Sequence, residues 1–172
     1  MRRTTFSRWP CSVARTVDII GDWWTPLVLR ECCYGVRRFE DFQRVLGIGR
    51  NVLTQRLNRL VDEGLLERVR YCQHPPRDEY VLTTKGSDFW PVLAAIGAWG
   101  DAHLAGEEGP PLVMHHTTCD HDTTPMVVCA HCREPLAQDD VRTRFGPGYP
   151  EHVKARARAL GRFDEDGDPA NI

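Results

Sequence analysis

The sequence predicts a mainly α-helical fold carrying one β-hairpin, with a small β-rich segment appended toward the C-terminus. Three observations predict it. Between Arg50 and Asp62, Leu53, Leu57, Leu60 and Val61 recur at helical spacing. Directly after this stretch the pattern changes to two short strand-like runs, Leu65–Tyr71 and Glu79–Leu82, joined by a proline-containing link. Beyond Gly106-Glu107-Glu108-Gly109-Pro110-Pro111 the helical periodicity ends, and His and Cys residues cluster at short spacings.

The elements follow in order. Val13, Val17 and Ile20 give an N-terminal helix an apolar side, continued by Trp23 and Trp24. Thr25-Pro26 reads as an N-cap with proline at the first helical position, so a second helix covers Pro26–Tyr34 and stops at Gly35. Phe39, Phe42 and Leu46 are spaced for the buried face of a third helix. Gly47 and Gly49 turn the chain into the fourth, whose N-cap falls on Gly49, a residue without a side-chain acceptor. The hairpin has Arg68 and Arg70 alternating onto one face, with Cys72–Asp78 as its tip. Thr84 to about Ala105 reads as one long helix with Phe89, Val92, Leu93, Ile96, Trp99 and His103 on its apolar side and Pro91 as a kink point. Residues 1–106 form the first predicted domain and 112–172 the second. In the second, Pro125–Val128 reads as a strand, Val153–Leu160 as a short basic helix, and Asp164–Asp168 as an acidic disordered end.

The fourth helix carries the chemistry. Opposite its leucines stand Arg50, Asn51, Thr54, Gln55, Asn58 and Arg59, with no acid before Asp62. Arg, Asn and Gln are the side chains that pair bidentately with base edges in a major groove. On an isolated segment such a face would be read as a solvated helix surface. Here it follows a helix and a short turn and precedes a basic hairpin, the order of a winged helix-turn-helix. Asn51, Thr54, Gln55 and Asn58 are therefore the expected base readers. Arg37, Arg50 and Arg59 are the expected phosphate contacts. Arg77, braced by Pro75 and Pro76 at the hairpin tip, is the expected contact beside the half-site.

Residues from about Cys11 to His103 resemble the HxlR-type winged-helix regulators, which are close to the MarR type. The matching blocks are Cys11-Ser12-Val13-Ala14, Asp18-Ile19-Ile20-Gly21-Asp22-Trp23-Trp24, Arg38-Phe39-Glu40-Asp41-Phe42, Asn51-Val52-Leu53-Thr54-Gln55-Arg56-Leu57, Glu63-Gly64-Leu65-Leu66-Glu67-Arg68, Pro75-Pro76-Arg77-Asp78-Glu79-Tyr80, Leu82-Thr83-Thr84-Lys85-Gly86 and Trp99-Gly100. Gly49 stands where that family usually has Ser. The resemblance implies a homodimeric transcriptional repressor or activator on a pseudo-palindromic operator in double-stranded DNA. The aromatic surface around Trp23, Trp24, Trp90 and Trp99, more than one small domain covers, points to the same dimer. Cys11 aligns with a cysteine that some members use to sense electrophiles or oxidants, which implies redox sensing as one role for it.

Composition sets bounds. The 172 residues are 41% hydrophobic, enough for a core. No apolar run is long enough to cross a bilayer and Met1–Thr5 lacks the apolar stretch of a signal peptide, so a cytoplasmic protein with no membrane partner is expected. The net charge of −2 hides an asymmetry: residues 1–77 carry 14 Lys and Arg against 8 Asp and Glu, and residues 78–172 carry 8 against 16. The DNA-reading part is basic. Seven cysteines in such a chain argue against a disulfide framework. Cys32 and Cys33 read as small buried hydrophobes and Cys72 as inert.

Two pairs of ligand-type residues stand at two-residue gaps, His116 with Cys119 and Cys129 with Cys132. Thiolates and an imidazole close a tetrahedral site, so the pairs read as two knuckles holding one structural zinc, with His121 as the alternative ligand. A ribbon-like hairpin without metal and a reactive Cys129/Cys132 dithiol are the competing readings. The ligands lie in one short hairpin, and no open coordination position with a neighbouring base is suggested, so no enzyme is expected. The alternative to a DNA-binding regulator is a protein-interaction adaptor whose C-terminal module is the main working surface.

Overall fold

The computed structural model describes residues 5–164 and 167. The end expected to be disordered lies largely outside the described residues. The chain divides into two compact units, Thr16–Pro125 in one and the described residues of Met1–Arg15 and Met126–Ile172 in the other. The glycine/proline stretch 106–111 lies within the first of these units.

In chain order the elements are α1 (Ser12–Ile20), α2 (Thr25–Cys33), α3 (Phe39–Leu46), α4 (Arg50–Asp62), β1 (Leu66–Gln73), β2 (Pro76–Leu82), α5 (Thr84–Ser87), α6 (Trp90–Leu104), β3 (Met114–His116), β4 (His121–Thr123) and α7 (Glu151–Ala159). Strands β1 and β2 pair antiparallel, as do β3 and β4. The core of the Thr16–Pro125 unit is built from Val28, Leu29 and Cys32 of α2, Phe42 of α3, Leu53, Leu57 and Leu60 of α4, and Ile48, Leu65 and Leu66 from the connections and β1. These are the periodic positions of each amphipathic segment, which face one another once the helices pack. No helix among the described residues is long and apolar enough to cross a membrane.

Four local expectations are corrected. Helix α2 begins at Thr25, and its first turn is capped from outside by Asp22, whose carboxylate accepts the N–H of Trp24 at 2.9 Å and of Thr25 at 3.0 Å. The hairpin strands run almost to the tip, so that Cys72, Gln73 and Pro76–Asp78 are strand residues and only His74-Pro75, a cis peptide, turns the chain. A register shift between Arg70 and Cys72 bulges β1. The long C-terminal helix is two, separated at Asp88-Phe89; Pro91 sits in the first turn of α6, where its missing N–H costs nothing. Finally, Pro125–Val128 is not a strand: Val128 makes one isolated bridge to Pro135, and the strands of this region are β3 and β4.

Gly47 and Gly86 are among the glycines that the geometry requires. Gly47 closes α3 in the left-handed region at φ 63°. Gly86 is buried in α5, and a Cβ there would stand 2.1 Å from the carbonyl oxygen of Leu65. That close approach lets Thr83 cap α5 and donate from its hydroxyl to Gly64 O at 2.7 Å, fastening the end of β2 to the end of α4.

Candidate nucleic-acid interface

Helix α4 buries one face and offers the other. Leu53, Leu57 and Leu60 are fully buried, and Arg50, Asn51, Thr54 and Gln55 are exposed. Gly49 N-caps the helix without a side-chain hydrogen bond, as its lack of a side chain requires. Among the described residues, the side chains of Asn51 and Gln55 have no hydrogen-bond partner, which leaves both amides free for an external one. The Thr54 hydroxyl donates to Arg50 O at 2.9 Å, so its proton is committed and its methyl and lone pairs remain. The Arg50 guanidinium lies 5.3 Å from the centroid of the Phe39 ring, which holds it beside the start of α3.

Arg56 and Arg59 face inward. Arg56 donates from Nε to Asp22 Oδ1 at 2.8 Å. Burial pushes the Asp22 carboxyl up, yet the hydrogen bonds from Thr25 and Trp24 and the Arg56 charge together outweigh it and hold Asp22 below its usual range. Arg59 donates to the carbonyl oxygen of Asp18 at 2.6 Å and approaches the Asp18 and Glu63 carboxylates at 3.9 Å. Arg59, expected to hold a phosphate, is half-buried and ties α4 to α1. Asn58 is also half-buried and accepts a hydrogen bond on Oδ1 from Arg68 of β1.

The hairpin is placed against α3 by the segment before that helix. Tyr80 donates its N–H to Arg37 O at 2.8 Å, and Arg38 bridges to Glu79 in the manner of a short third strand. Arg38 Nε reaches Glu79 Oε1 at 3.0 Å, and its guanidinium lies 4.6 Å from the Tyr71 ring centroid. Arg37 and Arg77 are exposed, as is Pro76, and neither arginine's side chain has a partner among the described residues. Arg70 is paired with Asp78 across the hairpin. Sequence spacing puts Arg68 on a strand face and assigns no role to Arg38 or Asp22. Asp22 stands three residues before Thr25, a capping signal that was legible. The Arg38–Glu79 and Arg68–Asn58 pairs join residues with no local pattern between them.

The His/Cys pairs each form a tight turn. His116 O accepts the N–H of Cys119 at 3.2 Å and of Asp120 at 2.9 Å, and His116 Nδ1 lies 3.2 Å from Cys119 Sγ. His121 Nδ1 is engaged by Cys119 O. The Cys129 carbonyl accepts the N–H of Arg133 at 2.9 Å. The Cys129 thiol is shifted down, first by the N–H of Cys132, then by that of His131 and by the Cys132 thiol. In both turns the residue after the second ligand, Asp120 at φ 57° and Arg133 at φ 67°, is left-handed, the conformation for which glycine is commonly used. Among the described residues no three His, Cys, Asp or Glu side chains stand together as a metal-binding group. Cys32 is buried and its thiol pushed up to about 12 by that burial. Cys11 is exposed, and its sulfur accepts the N–H of Ala14 at 3.5 Å.

Outside α4, large apolar side chains remain uncovered. Trp23 is 91% exposed, Trp99 60% and Ile96 52%. Trp24, Phe89 and Leu93 are instead packed against the core, so Trp24 leaves the expected open surface.

Comparison with known proteins supplies the context. An HTH-type transcriptional regulator of Mycobacterium tuberculosis is 42% identical over 138 residues, 80% of this chain and 87% of that protein. An HTH-type transcriptional regulator of Methanothermobacter thermautotrophicus is 38% identical over 99 residues, 57% of this chain and 76% of that protein. Among solved structures, PA1607, described as a candidate transcription factor, superposes with a TM-score of 0.75 at 31% identity over 83% of this chain and all of that one. The redox regulator HypR in its oxidized form matches 54% of this chain and 97% of its own at 33% identity and a TM-score of 0.51. The model of the HxlR-like helix-turn-helix family matches residues 19–108, and the chain belongs to that family.

Proposed function

We propose that the chain is a sequence-specific transcriptional regulator that binds a pseudo-palindromic operator in double-stranded DNA as a homodimer. One observation carries this reading: α4 presents Asn51 and Gln55 without hydrogen-bond partners, and an exposed Arg50 beside Phe39, on the face opposite its buried leucines, flanked by the basic hairpin β1–β2. In the proposed complex Asn51, Thr54, Gln55 and Asn58 meet base edges, Arg37 and Arg50 meet phosphates, and Arg77 and Pro76 meet the backbone beside the half-site. The exposed Trp99, Ile96 and Trp23 are apolar area that a second copy would cover. The names carried by the relatives support regulation of transcription, and binding rather than catalysis is the proposed activity. The test is a Gln55→Ala variant assayed on operator and scrambled duplexes. Loss of discrimination at one or two positions, worth about 1–3 kcal/mol, is expected. Unchanged relative affinity would remove the base-reading role.

His116, Cys119, Cys129 and Cys132 are proposed to hold one structural zinc, with His121 as the substitute ligand. The support is local: each pair already forms a turn of knuckle type with its left-handed residue in place. About one zinc per chain should be recovered after purification without added metal, and its absence would leave a metal-free hairpin.

A second reading is favoured by the exposure of Cys11 and the similarity to HypR. In it the Cys11 sulfur adds to the β-carbon of an α,β-unsaturated carbonyl compound, the C=C π bond breaks, the α-carbon takes up the proton, and the thioether so formed alters operator affinity. A Cys11→Ser variant should then bind the operator normally and lose the response to electrophile.

A further inference from the structure

We infer that Arg68 of the wing is a positioning residue for base recognition, which sets Asn58 to read the acceptor edge of a guanine and to disfavour adenine. This rests on the proposed DNA-binding role of α4. Arginine carries only donors, so the atom of Asn58 that meets it is the carbonyl oxygen, however the amide is assigned. The NH2 group is thereby turned away from Arg68, and it has no partner among the described residues. The guanidinium is itself held in place: Arg68 stands opposite Tyr80 in the hairpin register, and its Cζ lies 5.8 Å from the Tyr80 ring centroid. Tyr80 in turn is fixed by its N–H bond to Arg37 O and by packing on the core.

The consequence is chemical. Asparagine pairs bidentately with adenine by accepting from N6 and donating to N7. Here one lone pair of Oδ1 is spent on a cation, and that cation stands beside the position an adenine amino group would have to occupy. Guanine presents O6 and N7, both acceptors, to the same place. The free NH2 of Asn58 is matched to them. Discrimination by Asn58 therefore depends on a residue ten positions away, on a strand.

The experiment uses the full chain. Duplexes carrying G or A at each position of a selected half-site are titrated with wild type and with Arg68→Ala, Arg68→Lys, Asn58→Ala and Gln55→Ala. One position should favour G over A by about tenfold in wild type. Asn58→Ala and Arg68→Ala should both cut that preference to about twofold or reverse it, while Arg68→Lys, still a cationic donor, retains part of it. A uniform loss across all duplexes in Arg68→Ala, with the G/A ratio kept, would show Arg68 to be a phosphate contact and overturn the inference. If neither Gln55→Ala nor Asn58→Ala alters any base preference, the base-reading role of α4 itself fails. Circular dichroism and thermal melting of each variant separate these outcomes from misfolding.

Discussion

Replacing Asp22 with Ala tests how the fold presents α4. One carboxylate accepts the N–H groups of Trp24 and Thr25 and the Thr25 hydroxyl, and it pairs with Arg56. Loss of a capping acceptor costs about 1 kcal/mol. Thr25 is 1% exposed, so its stranded hydroxyl adds about 1–3 kcal/mol. The ion pair is partly solvated and adds at most about 1 kcal/mol after screening. The expected total is about 2–5 kcal/mol. For a chain of this size that lowers the melting temperature by about 4–20 °C, read by circular dichroism or calorimetry. A double-mutant cycle with Arg56→Ala isolates the ion pair, and its coupling should be the smaller part. The sign with pH is set by the depressed Asp22 carboxyl. The contribution is present above the ordinary value of 3.8 and is lost as pH falls through the lower folded value, so the gap between wild type and Asp22→Ala closes only in strong acid. An Asp22→Ala protein that melts within 2 °C of wild type at neutral pH would refute the reasoning.

Gly86→Ala forces a methyl against the Leu65 carbonyl, and a loss of about 2 kcal/mol or more in denaturant unfolding is expected; an unchanged midpoint would mean that the close approach is not rigid. Arg50→Ala should weaken binding to all DNA sequences and flatten the slope of log affinity against log salt by about one unit, measured by fluorescence anisotropy. Arg77→Ala should remove protection only at the flanks of the half-site in footprinting.

The winged helix was legible because its signals are local and periodic. Leu53, Leu57 and Leu60 mark the face of α4 that the structure buries, and Gly47 and Gly49 mark the turn before it. The ends of the hairpin strands are hidden in the sequence because proline and a bulge interrupt alternation at Cys72–Asp78. The break between α5 and α6 was hidden by the continuous apolar stripe, which does not record where hydrogen bonding stops. Strands β3 and β4 are three residues each and exposed at most positions, too short and too polar to leave a period. In the site, which residues lie on the outer face of α4 could be read from spacing. Which of them are spent on internal partners could not: Arg59 and Arg50 look alike in sequence, and only packing shows that one binds Asp18 O and the other stands over Phe39.

The most direct test of the central claim is selection of bound duplexes from a random pool by the purified full-length protein, followed by footprinting and sedimentation of the selected complex. The account predicts an enriched inverted repeat, two protected major-groove segments centred about 10 base pairs apart, and two chains per duplex. Recovery of a pool with no enriched motif, or of one chain protecting a single half-site, would contradict it.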